Sequence, residues 1–321
     1  MRIRNFIILI VSILCYVYVI HWQFLIYMIL SGIVLLIDKL DKSLIKRALS
    51  CFTVLLLICG FPILKGFSAG IIYGYSVFSF SAISYIVDQS RNKKNYSAID
   101  TLIYLFFFPK MMAGPIVRAA DFIPQLSTMD MKLTSIYKGG KLLIYGFFLK
   151  MIIADNILYS TIDGTGLNLL MQSIIFGIQF YIDFYSYSII AVGLALCLGI
   201  TISYNFDNPY SAKSFRDFWK KWNITLSSWL KDYIYIPLGG NRKSKYITQF
   251  NVLITFIISG LWHGLSFPFI FWGMCHGFLV NVEKYFSLEH RLKNITLKFG
   301  YRAIIITTTM LLWQLFRFET F

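Results

Sequence analysis

Charge is scarce in this chain. Only 14% of its 321 residues are Asp, Glu, Lys or Arg, where ordinary soluble domains carry about a quarter. In their place, 57% of residues are hydrophobic and 18% aromatic. This deficit excludes a soluble globular protein and makes the bilayer the main solvent. Acids are scarcer still, 15 against 30 Lys and Arg, for a formal net charge of +15. The basic residues fall in short segments between apolar runs, a positive-inside pattern suited to anionic membrane lipids, so no nucleic-acid partner is expected. The cysteines, Cys15, Cys51, Cys59, Cys197 and Cys275, lack metal-type spacing. They read as small buried hydrophobes, with neither disulfides nor zinc expected. Without a fixed-period repeat or low-complexity tract, residues 1–321 are read as one integral membrane domain.

What the chain has is apolar runs, near 5–37, 44–64, 67–87, 98–117, 134–154, 168–202, 247–262, 264–282 and 300–316. A crossing needs roughly 20 apolar residues, and the first and sixth runs could hold more than one crossing or a re-entrant pair. The expectation is an all-α polytopic membrane protein of about nine to eleven transmembrane helices. The start, "MRIRNFIILIVSILCYVYVIHW", has the basic and apolar parts of a signal peptide but no small-x-small cleavage site, so it reads as a retained helix. Arg2 and Arg4 favour a cytoplasmic N-terminus. Within the fourth run, Gly114-Pro115 interrupts the helix, which fits a re-entrant element or a proline kink.

One polar segment is not a simple loop. "NPYSAKSFRDFWKKWNITLSSWLKDYIYIPLGGNRKSK" is bounded by Asn-Pro and by Pro-Leu-Gly-Gly-Asn. Between these breakers Phe215, Trp219, Trp222, Leu226, Trp229 and Tyr233 step by three or four, as on one face of a helix. Arg216, Lys220, Asn223, Ser227 and Lys231 step along another. Two readings fit: an interfacial helix whose lysines reach lipid phosphates, or a helix whose polar face lines a cavity and presents Asn223. The sequons at 223–225 and 294–296 are short enough to arise by chance.

"SFRDFWKKWNITLSSWLKDYIYIPLGGNR", followed by "NVLITFIISGLWHG", resembles the membrane-bound O-acyltransferase (MBOAT) family, and within it the bacterial polysaccharide O-acetyltransferases of the alginate type. "FFPKMMAGPIVRAADFIPQL" (107–126) and "QFYIDFYSYSIIAVGLALCLGI" (179–200) look like two further segments of that branch. With the core at 208–277, the resemblance covers roughly residues 4 to 320. Three departures stand out. Asn223 occupies a position where the branch usually has histidine, although many eukaryotic members carry asparagine there. Ile189 replaces a second acid after Asp183. The chain is expected to be short at both ends relative to the family.

The resemblance implies a helical bundle with re-entrant or interfacial helices around a funnel in the bacterial cytoplasmic membrane. It implies transfer of an acyl group, acetyl in the first instance, from acetyl-CoA or another thioester to a hydroxyl of a cell-envelope polysaccharide, with a possible periplasmic or extracellular acetyl-transfer partner. It makes His263 of "LWHG" the catalytic histidine. The residue chemistry agrees: a neutral imidazole in a wet cavity can take the hydroxyl proton during attack on a thioester. Asn223 would hold the carbonyl or the hydroxyl, since an amide both donates and accepts. Lys220 and Lys231 read as phosphate-attracting, and no bound cofactor or metal is called for. His276 lies beside Gly273 and Gly277 and reads as a helix contact or a second polar lining residue. A buried Asp183 needs a partner, and Arg118 is the candidate by elimination. The alternatives are D-alanyl transfer to teichoic acid, from which "IPLGGN" points away, and a non-catalytic transporter or scaffold, which leaves "LWHG" and "FWKKWN" unexplained.

Overall fold

Where the polar joints end, helices begin. The computed structural model describes residues 2–40, 44–66, 74–158, 168–286 and 294–320, and among them there is no strand. The first apolar run is two helices, α1 (Arg2–Ile20) and α2 (Phe24–Lys39). A single tight turn at His21–Gln23 parts them, and there His21 takes a left-handed φ of 47°. Then come α3 (Leu44–Gly66), α4 (Tyr75–Arg91) and α5 (Ala98–Phe106). The start of the 67–87 run lies outside the described residues.

The 98–117 run does not continue as one helix. α5 stops after 9 residues and a short turn at Phe108–Lys110 contains Pro109, which cannot donate a helical hydrogen bond. Residues 115–118 are irregular, so the break expected around Gly114-Pro115 is present. Gly114 is required there because a Cβ would lie 2.4 Å from the Cα of Lys110. After α6 (Ala119–Phe122) and α7 (Gln125–Thr128), α8 (Leu133–Phe147) runs on in wider π-type turns to Leu158, and α9 spans Leu169–Cys197. The last elements are α10 (Phe215–Lys221), α11 (Ile224–Leu230), α12 (Lys245–His263), α13 (Phe267–Phe286) and α14 (Ile295–Thr320). Among the described residues, Ile3–Lys39, Leu169–Cys197 and Ile295–Arg317 are long and apolar enough to cross a membrane.

The chain divides into two compact units. Met1–Leu143 with Ser188–Ser203 is one, and Ile144–Tyr187 with Tyr204–Phe321 is the other. In the first, Tyr16, Phe24, Tyr27, Phe78 and Phe106 pack edge-on or tilted with ring centroids 5.0 to 6.4 Å apart. Buried serines of α4 satisfy themselves on the preceding turn, Ser81 donating to the Val77 carbonyl and Ser84 to that of Phe80, both at 2.8 Å. Large apolar side chains of α1 and α2 instead face outward, Leu14 at 60% and Leu25 at 62% exposure, a surface suited to lipid. The cysteines correct an expectation, since none is buried and Cys51 and Cys59 are exposed. Their apolar neighbours in sequence lie on outward-facing helix surfaces, so apolar context alone did not place them inside.

The second unit is built on an α12–α13 hairpin. Its two helices meet so closely that a Cβ on Gly260 would lie 2.2 Å from the Phe269 carbonyl oxygen, and one on Gly273 would lie 2.3 Å from that of Phe256. Against the hairpin sits an aromatic core of Phe176, Phe206, Phe218, Trp222, Phe269, Trp272, Trp313 and Phe316.

Candidate active site

The helix expected from Phe215 through Tyr233 is in fact two. α10 ends at Lys221, and Asn223 turns the chain with a left-handed φ of 41° and ψ of 55° before α11 begins. The cause is long-range pairing, which residue spacing does not reveal. The Asp207 N–H donates to the Lys221 carbonyl at 3.0 Å, and the Ile224 N–H to that of Asn205 at 2.8 Å. Thr225 adds a hydroxyl bond to the Asn205 side chain at 2.5 Å. Asparagine tolerates this left-handed conformation better than most residues. The proposed single stripes therefore divide among α10, the break at Trp222-Asn223, α11 and the π-type turn Lys231–Tyr235 that continues it.

Trp222 anchors the break. It is buried, stacks on Phe218 and Phe180 at 5.5 and 5.8 Å, and lies 4.8 Å from Trp313. The neighbouring Asn223 is half-buried. Among the described residues its side-chain amide has no hydrogen-bond partner, leaving donor and acceptor available to a ligand.

α10, α11, α12 and α13 enclose a cavity of about 670 Å³. On α12 its lining includes Val252, Phe256 and Ser259. Continuing this stepping by three and four leads to His263, the last residue of α12. His263 lies on that stepping about 6 Å along the axis beyond Ser259, but neither it nor Asn223 is among the residues that line the cavity. Its half-buried imidazole packs edge-on against Phe316 at 4.8 Å and Trp272 at 5.6 Å. Lys220 and Ser227, which flank Asn223 in sequence, line the same cavity.

The wall is cationic. Arg216, Lys220, Lys231 and Lys284 line the cavity together with one carboxylate, Glu283. Tyr235 also lines it and donates to the Asn241 side chain. Burial pushes the Tyr235 phenol pKa up, while the Arg216 charge pulls it down. Such a site can hold an elongated ligand with an anionic head and a less polar tail.

The family model of the membrane-bound O-acyltransferases matches residues 19–317. The chain belongs to that family. It is similar to the probable alginate O-acetylase AlgI of Pseudomonas putida, 33% identical over 257 residues that make up 77% of this chain and 52% of that protein. It is 36% identical to the peptidoglycan O-acetyltransferase of Helicobacter pylori, over 68% of this chain and 44% of that one. The teichoic acid D-alanyltransferase of Bacillus subtilis is more distant, 26% identical over 67% of this chain and 59% of that protein. The chain spans about half the length of the curated O-acetylases it matches. The expectation of an all-α MBOAT membrane protein is met by the family match and by the helical structure.

The other sequence candidates divide. His276 is fully buried on α13, where its Nδ1 accepts from the Trp219 indole N–H at 3.4 Å and its ring is surrounded by Trp219, Trp272 and Phe256. Gly273 and Gly277 beside it meet α12 closely, the latter with the Leu253 Cα 3.1 Å from a built Cβ. For Asp183 the expected partner was Arg118, and the structure corrects this. Lys150 donates to Asp183 at 2.5 Å and to Asp155 at 2.7 Å. Arg118 instead precedes the short helix α6, accepting at its carbonyl from Asp121 and Phe122. Sequence reasoning passed over Lys150 because it lies inside the apolar run 134–154, and over Glu283 because it opens a stretch read as a polar joint.

Proposed function

We propose that the chain is a multi-pass protein of the bacterial cytoplasmic membrane that transfers an acyl group, acetyl in the first instance, from a thioester donor to a hydroxyl of a cell-envelope polysaccharide. The observation that carries this reading is the cationic cavity walled by α10 to α13, with His263 four residues beyond its lining residue Ser259 on α12. The relatives named for O-acetylation of alginate and of peptidoglycan support it.

In the proposed reaction, neutral His263 accepts the hydroxyl proton as the oxygen attacks the thioester carbon. The Asn223 amide donates to the carbonyl oxygen as charge builds on it. The carbon–sulfur bond then breaks, and the thiolate leaves with the proton returned from the imidazolium. The donor, acetyl-CoA or a comparable thioester, enters past Arg216, Lys220, Lys231 and Lys284, whose charges attract its phosphates. The acceptor glycan arrives from the opposite side, with or without a periplasmic or extracellular transfer partner.

The test is ester-linked acetate on purified envelope polysaccharide from cells carrying wild type, His263→Ala or no copy. Acetate restored by wild type and absent with His263→Ala at equal membrane abundance is expected. Full restoration by His263→Ala would sink the assignment of the base. The Bacillus relative favours a second reading, D-alanyl transfer. D-Alanine esters in place of acetate would select it. If purified protein cleaves no thioester at all, the chain is a transporter or scaffold.

A further inference from the structure

Among the described residues that line the cavity, Glu283 is the one carboxylate, and it is engaged elsewhere. Glu283 is 4% exposed on α13, and its Oε1 accepts from the Phe215 N–H at 2.9 Å while Oε2 accepts from the Arg216 N–H at 3.0 Å. The Tyr301 hydroxyl of α14 donates to the same Oε1 at 2.5 Å. One buried carboxylate thereby joins α10, α13 and α14. A buried charge without a cation is stable only when such donors satisfy it, and here two are backbone amides opening α10.

This arrangement has two effects. It fixes the start of α10, the helix that carries Arg216, Trp219 and Lys220 to the cavity and ends beside Asn223. It also leaves the wall cationic: among the described residues none of Arg216, Lys220, Lys231 and Lys284 forms an ion pair, with Glu283 or with any other acid. A Glu283 free to swing toward these cations would neutralise part of the attraction for an anionic donor.

We propose that Glu283 is a positioning residue: its carboxylate holds α10 in place so that the unpaired cations face the anionic part of the thioester donor. The inference rests on the donor-side reading of the cavity given above, and it assigns Glu283 no contact with substrate. Its consequence is a division of kinetic effects. Loosening α10 weakens donor capture, which appears in KM, more than it slows the chemical step at His263, which appears in kcat.

Two measurements on the full chain in detergent micelles test this, using wild type, Glu283→Gln and the milder Tyr301→Phe. The first is amide hydrogen exchange, which needs no donor. Glu283→Gln is expected to speed exchange of the α10 amides at least tenfold while α12 amides stay as in wild type. Unchanged α10 exchange overturns the proposal, and so does equal acceleration in α10 and α12, which signals general loosening. The second is acetyl-CoA turnover with polysaccharide acceptor, where a KM raised about tenfold with kcat within twofold is expected for Glu283→Gln and a smaller rise for Tyr301→Phe. An unchanged KM, or a fall in kcat alone, overturns the positioning role. If wild type does not turn over acetyl-CoA, the donor reading fails, and the exchange result still decides whether Glu283 holds α10.

Discussion

The Trp219 indole N–H donates to Nδ1 of His276 at 3.4 Å, tying α10 to α13 through a fully buried imidazole. With Nδ1 accepting, the proton of a neutral ring is assigned to Nε2, a buried atom with no hydrogen-bond partner among the described residues. Trp219 also lines the cavity, so this pair joins the wall to the aromatic core behind it. His276→Ala removes both a hydrogen-bond acceptor and a packed ring. It is expected to destabilise the protein by about 2–4 kcal/mol, the range for large-to-small changes in a core. His276→Phe keeps the ring but leaves the Trp219 N–H without its acceptor, and should cost about 1–3 kcal/mol. Thermal unfolding in detergent checks both, and melting like wild type in His276→Ala would show the pair to be energetically idle.

The α12–α13 contact makes a sharper demand. A Cβ on Gly260 or Gly273 would lie 2.2 or 2.3 Å from a backbone carbonyl oxygen of the partner helix, and no rotamer change relieves a backbone clash. Gly260→Ala and Gly273→Ala should therefore separate the helices and cost at least about 1–3 kcal/mol. Gly140→Ala, with nothing within 4 Å of its built Cβ, is the control. It should be neutral or slightly stabilising. Equal melting of all three variants would contradict this account of the hairpin.

Lys150 bridges Asp183 and Asp155, but the setting is only partly dry, with the Asp183 side chain 39% exposed and that of Asp155 48%. Where water and not lipid meets this open side it screens the pair, and the Lys150–Asp183 coupling should then be about 1 kcal/mol or less. A double-mutant cycle with Lys150→Met and Asp183→Asn measures it. A coupling several times larger would mean that the site is drier than this exposure implies.

How far the sequence disclosed the molecule depended on the range of the interactions involved. His263 could be singled out as a candidate because glycines, aromatic residues and a histidine in an apolar run form a local signal, and its role stands as a proposal. The break at Gly114-Pro115 was legible because proline and glycine act on their own backbone, whereas the earlier end of α5 at Phe106 was not anticipated. The turn at Asn223 was not, since it is held by Asn205 and Asp207, more than a dozen residues earlier, and helical stepping cannot register such bonds. Asn223 itself was the available clue, being a residue type that tolerates positive φ. Assigning Arg118 to Asp183 failed for a related reason: elimination among charged residues skipped Lys150, which sits inside an apolar run. Glu283 carried no sequence signal, because its partners are two amides that open a helix 67 and 68 residues away and a tyrosine.

The left-handed backbone at Asn223 changes how its chemistry must be tested. Replacing it with alanine removes the amide and also forces a Cβ-bearing residue without asparagine's tolerance to hold a φ of 41°, at about 1 kcal/mol or more. Loss of activity in Asn223→Ala alone would therefore be ambiguous. Asn223→Gly removes the amide while relaxing the backbone, because glycine adopts positive φ freely. If the amide stabilises the carbonyl oxygen in the transition state, Asn223→Gly should match wild type in melting temperature and lower kcat about 100-fold or more, the usual effect of losing one such donor. A glycine variant with wild-type turnover would show that Asn223 serves the turn and not the chemistry. The oxyanion would then need another donor.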